Sequence, residues 1–220
     1  ESRDGQRIMG FANVFNSYGR WEFYAGNTTT FDVSRRAEHL AALARTTLEK
    51  LRQAHSLRAS ANLIFHHSVR ISREDRTSIL RSLRSVAPDV EVTFVWINSH
   101  NNIRLFDARP ETDGSVRRGS YIPLSKRRIL LSTTGNNPYR KAMGTPRPLE
   151  LSALHFAPRA DEPSDYDQRS LAIQVLSLTK LNWASTDAFC GEPITVKYAG
   201  DIAYLTAAFL RQREPFQLHP

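Results

Sequence analysis

Apolar and polar positions along this chain fall into short periodic blocks, and the period changes from block to block. Arg7 to Gly26 holds two aromatic-rich apolar runs on either side of Asn16-Ser17-Tyr18-Gly19. Such runs around such a turn predict a β-hairpin in which Gly19 takes a positive φ. From Ala37 to Ala54 the period becomes helical. Ala37, Leu40, Ala41, Ala44, Leu48 and Leu51 share one face and the charges lie opposite, which predicts an amphipathic helix. Asn62 to Phe65 is too short for a helix and reads as a buried strand. Ser72 stands three residues before Asp75, a capping-box-like start, and Ile79, Leu80, Leu83 and Val86 follow as an apolar stripe. A second helix is therefore predicted up to Pro88. Val90 to Asn98 is rich in β-branched and aromatic residues and reads as a strand.

The first hundred residues thus predict strand, strand, helix, strand, helix, strand. That alternation implies a largely parallel sheet covered by helices, with an antiparallel hairpin attached. Further on, Asp107 to Tyr121 is a turn-rich loop that leads to a strand at Arg127 to Thr133. Thr133 to Pro148 is polar and rich in Gly and Pro, and Leu149 to Phe156 is another strand. Arg159 to Asp167 is a solvated acidic loop. Gln168 to Leu181 predicts a helix with Ala172, Val175, Leu176 and Thr179 on one side. Pro193 to Tyr198 reads as a short strand, and Asp201 to Arg213 as a final helix whose basic last turn complements its dipole. With no internal repeat and no domain-scale linker, residues 1–220 are expected to form one domain.

Composition narrows the function classes. Apolar residues make up 40 % of the 220 positions, enough for a real core. No apolar run reaches the roughly 18 residues of a membrane span, and the first residues lack a signal-peptide layout. The single cysteine, Cys190, excludes an internal disulfide and suits a reducing compartment, so a cytoplasmic location is expected. Net charge is +8 with a pI near 10.0, a surplus that favours a polyanionic partner. Arginine outnumbers lysine, which suits bidentate phosphate contacts.

The last third carries the sharpest pattern. Leu178-Thr179-Lys180-Leu181-Asn182-Trp183, then Pro193-Ile194-Thr195-Val196-Lys197-Tyr198-Ala199, then a closing helix, resemble the C-terminal end of the PIWI domain of prokaryotic Argonaute proteins. Ile129 to Gly135 followed by Gly144 to Leu151 is similar to the segment those proteins carry upstream. Arg7 to Trp21 resembles the second and third strands of the same domain. The resemblance covers nearly the whole chain and rests on the order and spacing of these pieces. It implies an RNase H-like α/β fold, a mixed sheet flanked by helices. It also implies a basic channel holding a guide strand paired to a target, where base pairing reads sequence and the protein holds backbones. Lys180, Asn182, Lys197, Tyr198, Arg147, Lys126 and Arg127 are the expected nucleic-acid-binding residues. The lysines and arginines neutralise phosphate, and Lys197 to Asp201 is expected to lead into a helix N-terminus that favours an anion.

Cutting members of that family hold two divalent cations with three acidic residues and a fourth ligand. Two such metals, about 4 Å apart, activate water and stabilise the leaving oxygen. Mg²⁺ needs oxygen ligands. The first Asp of the family falls on a strand that this chain is expected to lack, which makes residues 1–220 part of a longer protein. The second, a Glu, falls near Arg35, where Asp32 and Glu38 are the nearest acids and Glu38 reads as an exposed first-turn residue. The third, an Asp, falls at His66-His67-Ser68. The fourth falls at Gly200, with Asp201 one residue later. Asp201 serves only if the register slips by one, and a carboxylate in a first helical turn is ordinarily a capping residue.

Histidines do not restore the set. Adjacent strand residues point to opposite faces, so His66 and His67 are not expected to share an ion, and imidazole suits Zn²⁺ better than Mg²⁺. His55, His100 and His155 sit on separate predicted elements. His67, Ser68 and Gly200 therefore read as vacated catalytic positions, with Asp201 the one residue left for a divergent site.

The expectation is a nucleic-acid-binding PIWI region that holds a guide, RNA by the resemblance, on a complementary DNA target without cutting, for guide-directed defence against foreign DNA. A guided endonuclease with a divergent metal-binding set is the alternative, and a basic scaffold for a protein partner is a third reading. No cofactor is expected within this chain. The family implies Mg²⁺ at the guide 5′ phosphate near a C-terminal carboxylate, a MID domain of the same protein that builds most of that pocket, and an associated effector protein.

Overall fold

The computed structural model describes residues 7–8, 11–26, 31–54, 61–109, 114–135, 147–182 and 190–211. His55, Trp183, the 136–146 stretch and Pro220 lie outside them. In chain order the elements are β1 (Arg7–Ile8), β2 (Phe11–Phe15), β3 (Trp21–Gly26), β4 (Phe31–Asp32), α1 (Arg36–Gln53), β5 (Asn62–His67), α2 (Arg73–Val86), β6 (Glu91–Asn98), β7 (Tyr121–Ser125), β8 (Arg128–Leu131), β9 (Leu149–Phe156), α3 (Gln168–Leu178) and α4 (Ile194–Arg211). A five-stranded sheet runs in the order β5-β6-β9-β8-β7.

Only β5 and β6 pair in parallel within that sheet; β6–β9, β9–β8 and β8–β7 are antiparallel. The expectation of a largely parallel sheet is corrected to a mixed one. The parallel pair needs a crossover, which α2 supplies, whereas β7 and β8 join through a tight turn. The sequence pattern does not reveal β7 because Pro123 lies within it. A proline removes a ladder donor and is confined to edge strands, and the edge is where β7 sits.

The central strand β6 is buried on both faces. Val92 and Phe94 pack with Ala44 and Leu48 of α1 and with Ile79, Leu80 and Leu83 of α2. Val95 and Ile97 face the other way, toward Leu171, Ala172 and Val175 of α3 and Val196 of α4. Alternation along one strand thus builds two cores, one beneath each pair of helices. The predicted stripes of α1, α2 and α3 face the sheet: Ala44 and Leu48, Ile79, Leu80 and Leu83, and Ala172, Val175 and Thr179 are buried, and the rest of each stripe is half-buried. α2 starts as its sequence implies: Ser72 Oγ accepts from Asp75 N at 3.0 Å, and Asp75 Oδ2 accepts from Ser72 N at 2.9 Å. Asp75 is buried and also pairs with Arg36 at 3.4 Å, which ties this cap to the start of α1.

β2 and β3 form the predicted antiparallel hairpin, with β2 against α4 and β3 against α1. Gly19 has φ 78°, and a Cβ there would lie 2.3 Å from Leu181 Cδ1. Gly19→Ala is expected to lower stability by about 1 kcal/mol, from left-handed backbone strain plus displacement of Leu181. A shifted thermal unfolding midpoint checks it; an unchanged midpoint refutes the fit.

The last helix needs a second correction. Ile194 to Tyr198 is not a strand but the start of α4. Ile194 and Val196 alternate as buried residues, which imitates a strand, but Pro193 precedes the helix and its carbonyl accepts from Val196 N and Lys197 N, each at 3.0 Å. Proline is at home beside a helix start, where its missing N–H is no loss. No helix among the described residues is long and apolar enough to cross a membrane.

Candidate nucleic-acid interface

β5 and β6 run in parallel, so their C-terminal ends lie side by side and their following loops converge. In open α/β sheets such a crevice beyond the strand ends is where ligands bind. Here it is a cleft of about 470 Å³, closed on one side by Cys190 to Glu192 and the first turns of α4. Ser68 enters from the end of β5, Asn98 and His100 from the end of β6, and Lys197, Gly200 and Asp201 from α4. Ser68 and the adjacent pair Gly200 and Asp201, distant from it in the chain and each singled out through the resemblance as a catalytic place, thus share one cleft. His67 is the exception: its ring turns away, with Nδ1 donating to Val69 O at 2.7 Å.

The α4 boundary changes what Lys197 and Asp201 do. Lys197 lies in the first turn of α4 rather than ahead of a helix start, Asp201 lies a full turn further in, and the two pair at 2.8 Å. The capping role considered for Asp201 is corrected accordingly. Its hydrogen bond to Lys197, with the opposite charge, raises the lysine's pKa above its ordinary value, so Lys197 stays charged in the cleft.

His66 and His67 have separate partners, as strand alternation requires. His66 Nδ1 is 2.8 Å from Thr195 Oγ1 at the start of α4. Burial pushes the His66 pKa down to about 4, and the neighbouring His67 adds to it. His67 is also pushed down to about 4, by burial first and then by Arg76 and Arg36 against the opposing bond to Val69 O. Both rings are neutral at pH 7.

The two-metal site expected of a cutting PIWI domain does not fit these donors. Ser68 offers a hydroxyl, Gly200 no side chain, and Asp201 a carboxylate already facing an ammonium. Glu192 lines the same cleft, yet among the described residues no three His, Cys, Asp or Glu side chains group to hold an ion. Hard cations require several oxygen ligands converging.

The expected binding residues divide. Asn182 joins Tyr198, whose hydroxyl donates to Asn182 Oδ1 at 3.4 Å, so the end of α3 and the start of α4 are linked. Lys180 is exposed just before Asn182. Lys126, Arg127 and Arg147 do not line the cleft. Lys126 and Arg147 are exposed, while Arg127 bonds Asp165 at 2.8 Å and Pro163 O at 2.9 Å. Arg128, its neighbour, pairs with the buried Glu150.

One feature beside the cleft has no counterpart in the sequence pattern. Trp96 Nε1 donates to Ser68 O at 3.0 Å, and the Arg70 guanidinium lies 4.4 Å over the Trp96 ring. Parallel register sets His67 opposite Trp96, and that register is invisible in a local pattern.

Comparison with solved structures places this arrangement. A crystal structure of Aa-Ago with externally bound siRNA matches 98 % of this chain and 27 % of its own, at 22 % identity and a TM-score of 0.71. This is the RNase H-like fold found in Argonaute proteins. Aquifex aeolicus Argonaute matches 99 % of this chain and 28 % of its own, at 20 % identity and TM-score 0.67. Clostridium butyricum Argonaute bound to a guide DNA (5′ deoxycytidine) and a 19-mer target DNA matches 82 % and 22 %, at 18 % identity and TM-score 0.65. The chain therefore spans about a quarter of the length of the Argonaute structures it matches. No family model and no curated protein matches the sequence.

Proposed function

We propose that this chain is the region of an Argonaute-type protein that holds a guide strand paired to its complementary target and does not cut it. The observation that carries the reading is the cleft at the strand ends. Ser68 and Gly200 stand where the resemblance calls for metal ligands, and Asp201 is paired to Lys197. The net charge of +8 supports a polyanionic ligand, and the fold is shared with an Argonaute bound to guide and target DNA. RNA as guide, DNA as target, guide-directed defence against foreign DNA, a MID domain and an associated effector belong to the same proposal on the strength of the resemblance. So does Mg²⁺ at the guide 5′ phosphate; the C-terminal residues from 212 on lie outside the described ones.

A guided endonuclease is the second reading, favoured by the presence of Asp201 and Glu192 in the cleft that holds Ser68. Labelled target is incubated with the intact, guide-loaded protein in Mg²⁺ or Mn²⁺. Retention of uncut target is expected, and Asp201→Ala should tighten binding a few-fold by leaving Lys197 free for phosphate. Cuts opposite the middle of the guide that vanish in Asp201→Ala would overturn the proposal.

A further inference from the structure

The β2–β3 turn holds an aromatic side chain out in solvent on a braced support. Tyr18 is 89 % exposed and Trp21, three residues on, is 46 % exposed. Asn16 organises the turn between them. Its Oδ1 accepts from Tyr18 N at 3.0 Å and from Arg20 N at 3.1 Å, and its carbonyl accepts from Gly19 N at 2.9 Å. Its backbone N–H donates to Arg20 O at 2.9 Å. Its Nδ2 donates to Glu22 Oε1 at 2.7 Å, which occupies the nearest carboxylate on the hairpin. The exposure of Tyr18 is therefore fixed by a hydrogen-bonded turn.

The tip is also docked. Gly19 lies against Leu181, so closely that a Cβ would have to displace its Cδ1. Leu181 follows Lys180 and precedes Asn182, the residue bonded to Tyr198 of α4. The hairpin tip thus stands against Leu181, whose neighbour Lys180 is an exposed cation, and the tip itself carries a second exposed cation, Arg20. An aromatic face flanked by cations is the chemistry that binds a single-stranded nucleic acid. Every base offers a π-face to stack, and the cations neutralise the flanking phosphates. Tyr, Trp and Arg also occur at protein interfaces, but the chain's net charge of +8 favours a polyanionic occupant here.

We infer that the β2–β3 tip is a nucleobase-stacking site: Tyr18, assisted by Trp21, stacks an unpaired base of a strand leaving the paired region, and Arg20 and Lys180 hold its phosphates. The inference rests on the nucleic-acid-binding reading above. The test uses the intact protein and a guide–target duplex with a single-stranded overhang carrying 2-aminopurine at successive positions. Quenching is expected at one overhang position and lost in Tyr18→Ala. That variant should bind the overhang duplex about tenfold more weakly, with an unchanged salt slope, because no phosphate contact is removed. Tyr18→Phe should retain affinity, since the ring remains. A blunt duplex should bind wild type and Tyr18→Ala alike, and the unfolding midpoint should not move, because the side chain is in solvent.

Equal affinity and equal fluorescence for Tyr18→Ala, while a Lys180→Ala, Lys197→Ala variant loses affinity, would overturn the stacking site and leave the broader reading standing. Failure of the wild type to bind any oligonucleotide would overturn both. Unchanged oligonucleotide binding together with loss of a co-purifying protein would make the tip a protein contact and overturn the inference.

Discussion

Acidification from pH 7 to pH 4 is expected to cost the fold about 3 kcal/mol through His66 alone. The unfolded imidazole titrates near 6.5, whereas in the fold burial first, and the neighbouring His67 second, push it down to about 4. Each tenfold loss of proton affinity on folding corresponds to about 1.36 kcal/mol, hence the size. The sign follows from proton binding: between these two values the unfolded chain binds a proton that the folded chain refuses, so stability rises with pH there. The contribution is complete above about pH 6.5 and is lost as pH falls toward 4. The cause is geometric. His66 lies on the α4 side of β5 with Nδ1 against Thr195 Oγ1, so an imidazolium would be a cation under the helix. Against a domain stability of about 5–15 kcal/mol, this is a large share, and His67 adds in the same direction. Urea midpoints at about pH 7, 5.5 and 4 measure it. His66→Gln keeps a polar partner for Thr195, removes the titration and should flatten the profile; an equally steep profile in that variant would sink the assignment.

The two histidines also illustrate what a sequence reveals. Alternation on a strand is enough to separate His66 from His67, because the period of two is a property of the backbone and needs no tertiary information. The same local physics makes the α2 cap readable: Ser72 and Asp75 contain in themselves the groups that satisfy each other. Hairpin β2–β3 is readable because Gly19 and Asn16 are turn residues for reasons internal to the turn.

The local pattern misleads where tertiary context outweighs it. Ile194 and Val196 prefer strands intrinsically, but both are buried at the start of a helix that covers the sheet, and packing overrides propensity. Pro123 argues against a strand unless that strand is an edge, and position in a sheet is not a local property. For the site, the resemblance locates Ser68 and Gly200 separately. That both line one cleft, and that Asp201 there faces Lys197, follows from an α4 boundary the pattern does not show. The Arg70–Trp96 contact depends on parallel register between β5 and β6, which leaves no local trace.

Replacing Lys180 and Lys197 by alanine together is expected to weaken binding of a guide–target duplex about thirtyfold at roughly 0.15 M salt and to flatten the log–log salt slope by about 2. Sequence treats every basic residue alike, but the structure separates engaged from available charge. The Arg127 guanidinium is held by Asp165 and Pro163 O, and Arg128 neutralises the buried Glu150. Lys180 is exposed beside the cleft. Lys197 lines the cleft itself and exchanges only a partly exposed partner, Asp201, 56 % accessible, for a phosphate. An exposed pair of that kind is worth little, so the exchange is favourable. Arg127→Ala is the control: it should leave the slope nearly unchanged, since its guanidinium also bonds Pro163 O and it does not line the cleft. Filter binding or anisotropy across a salt series reads both variants against the wild type. An unchanged affinity in the double lysine variant would show that the duplex does not lie along the α3–α4 junction. A slope change in Arg127→Ala equal to that of a lysine would move the interface toward the β7–β8 turn.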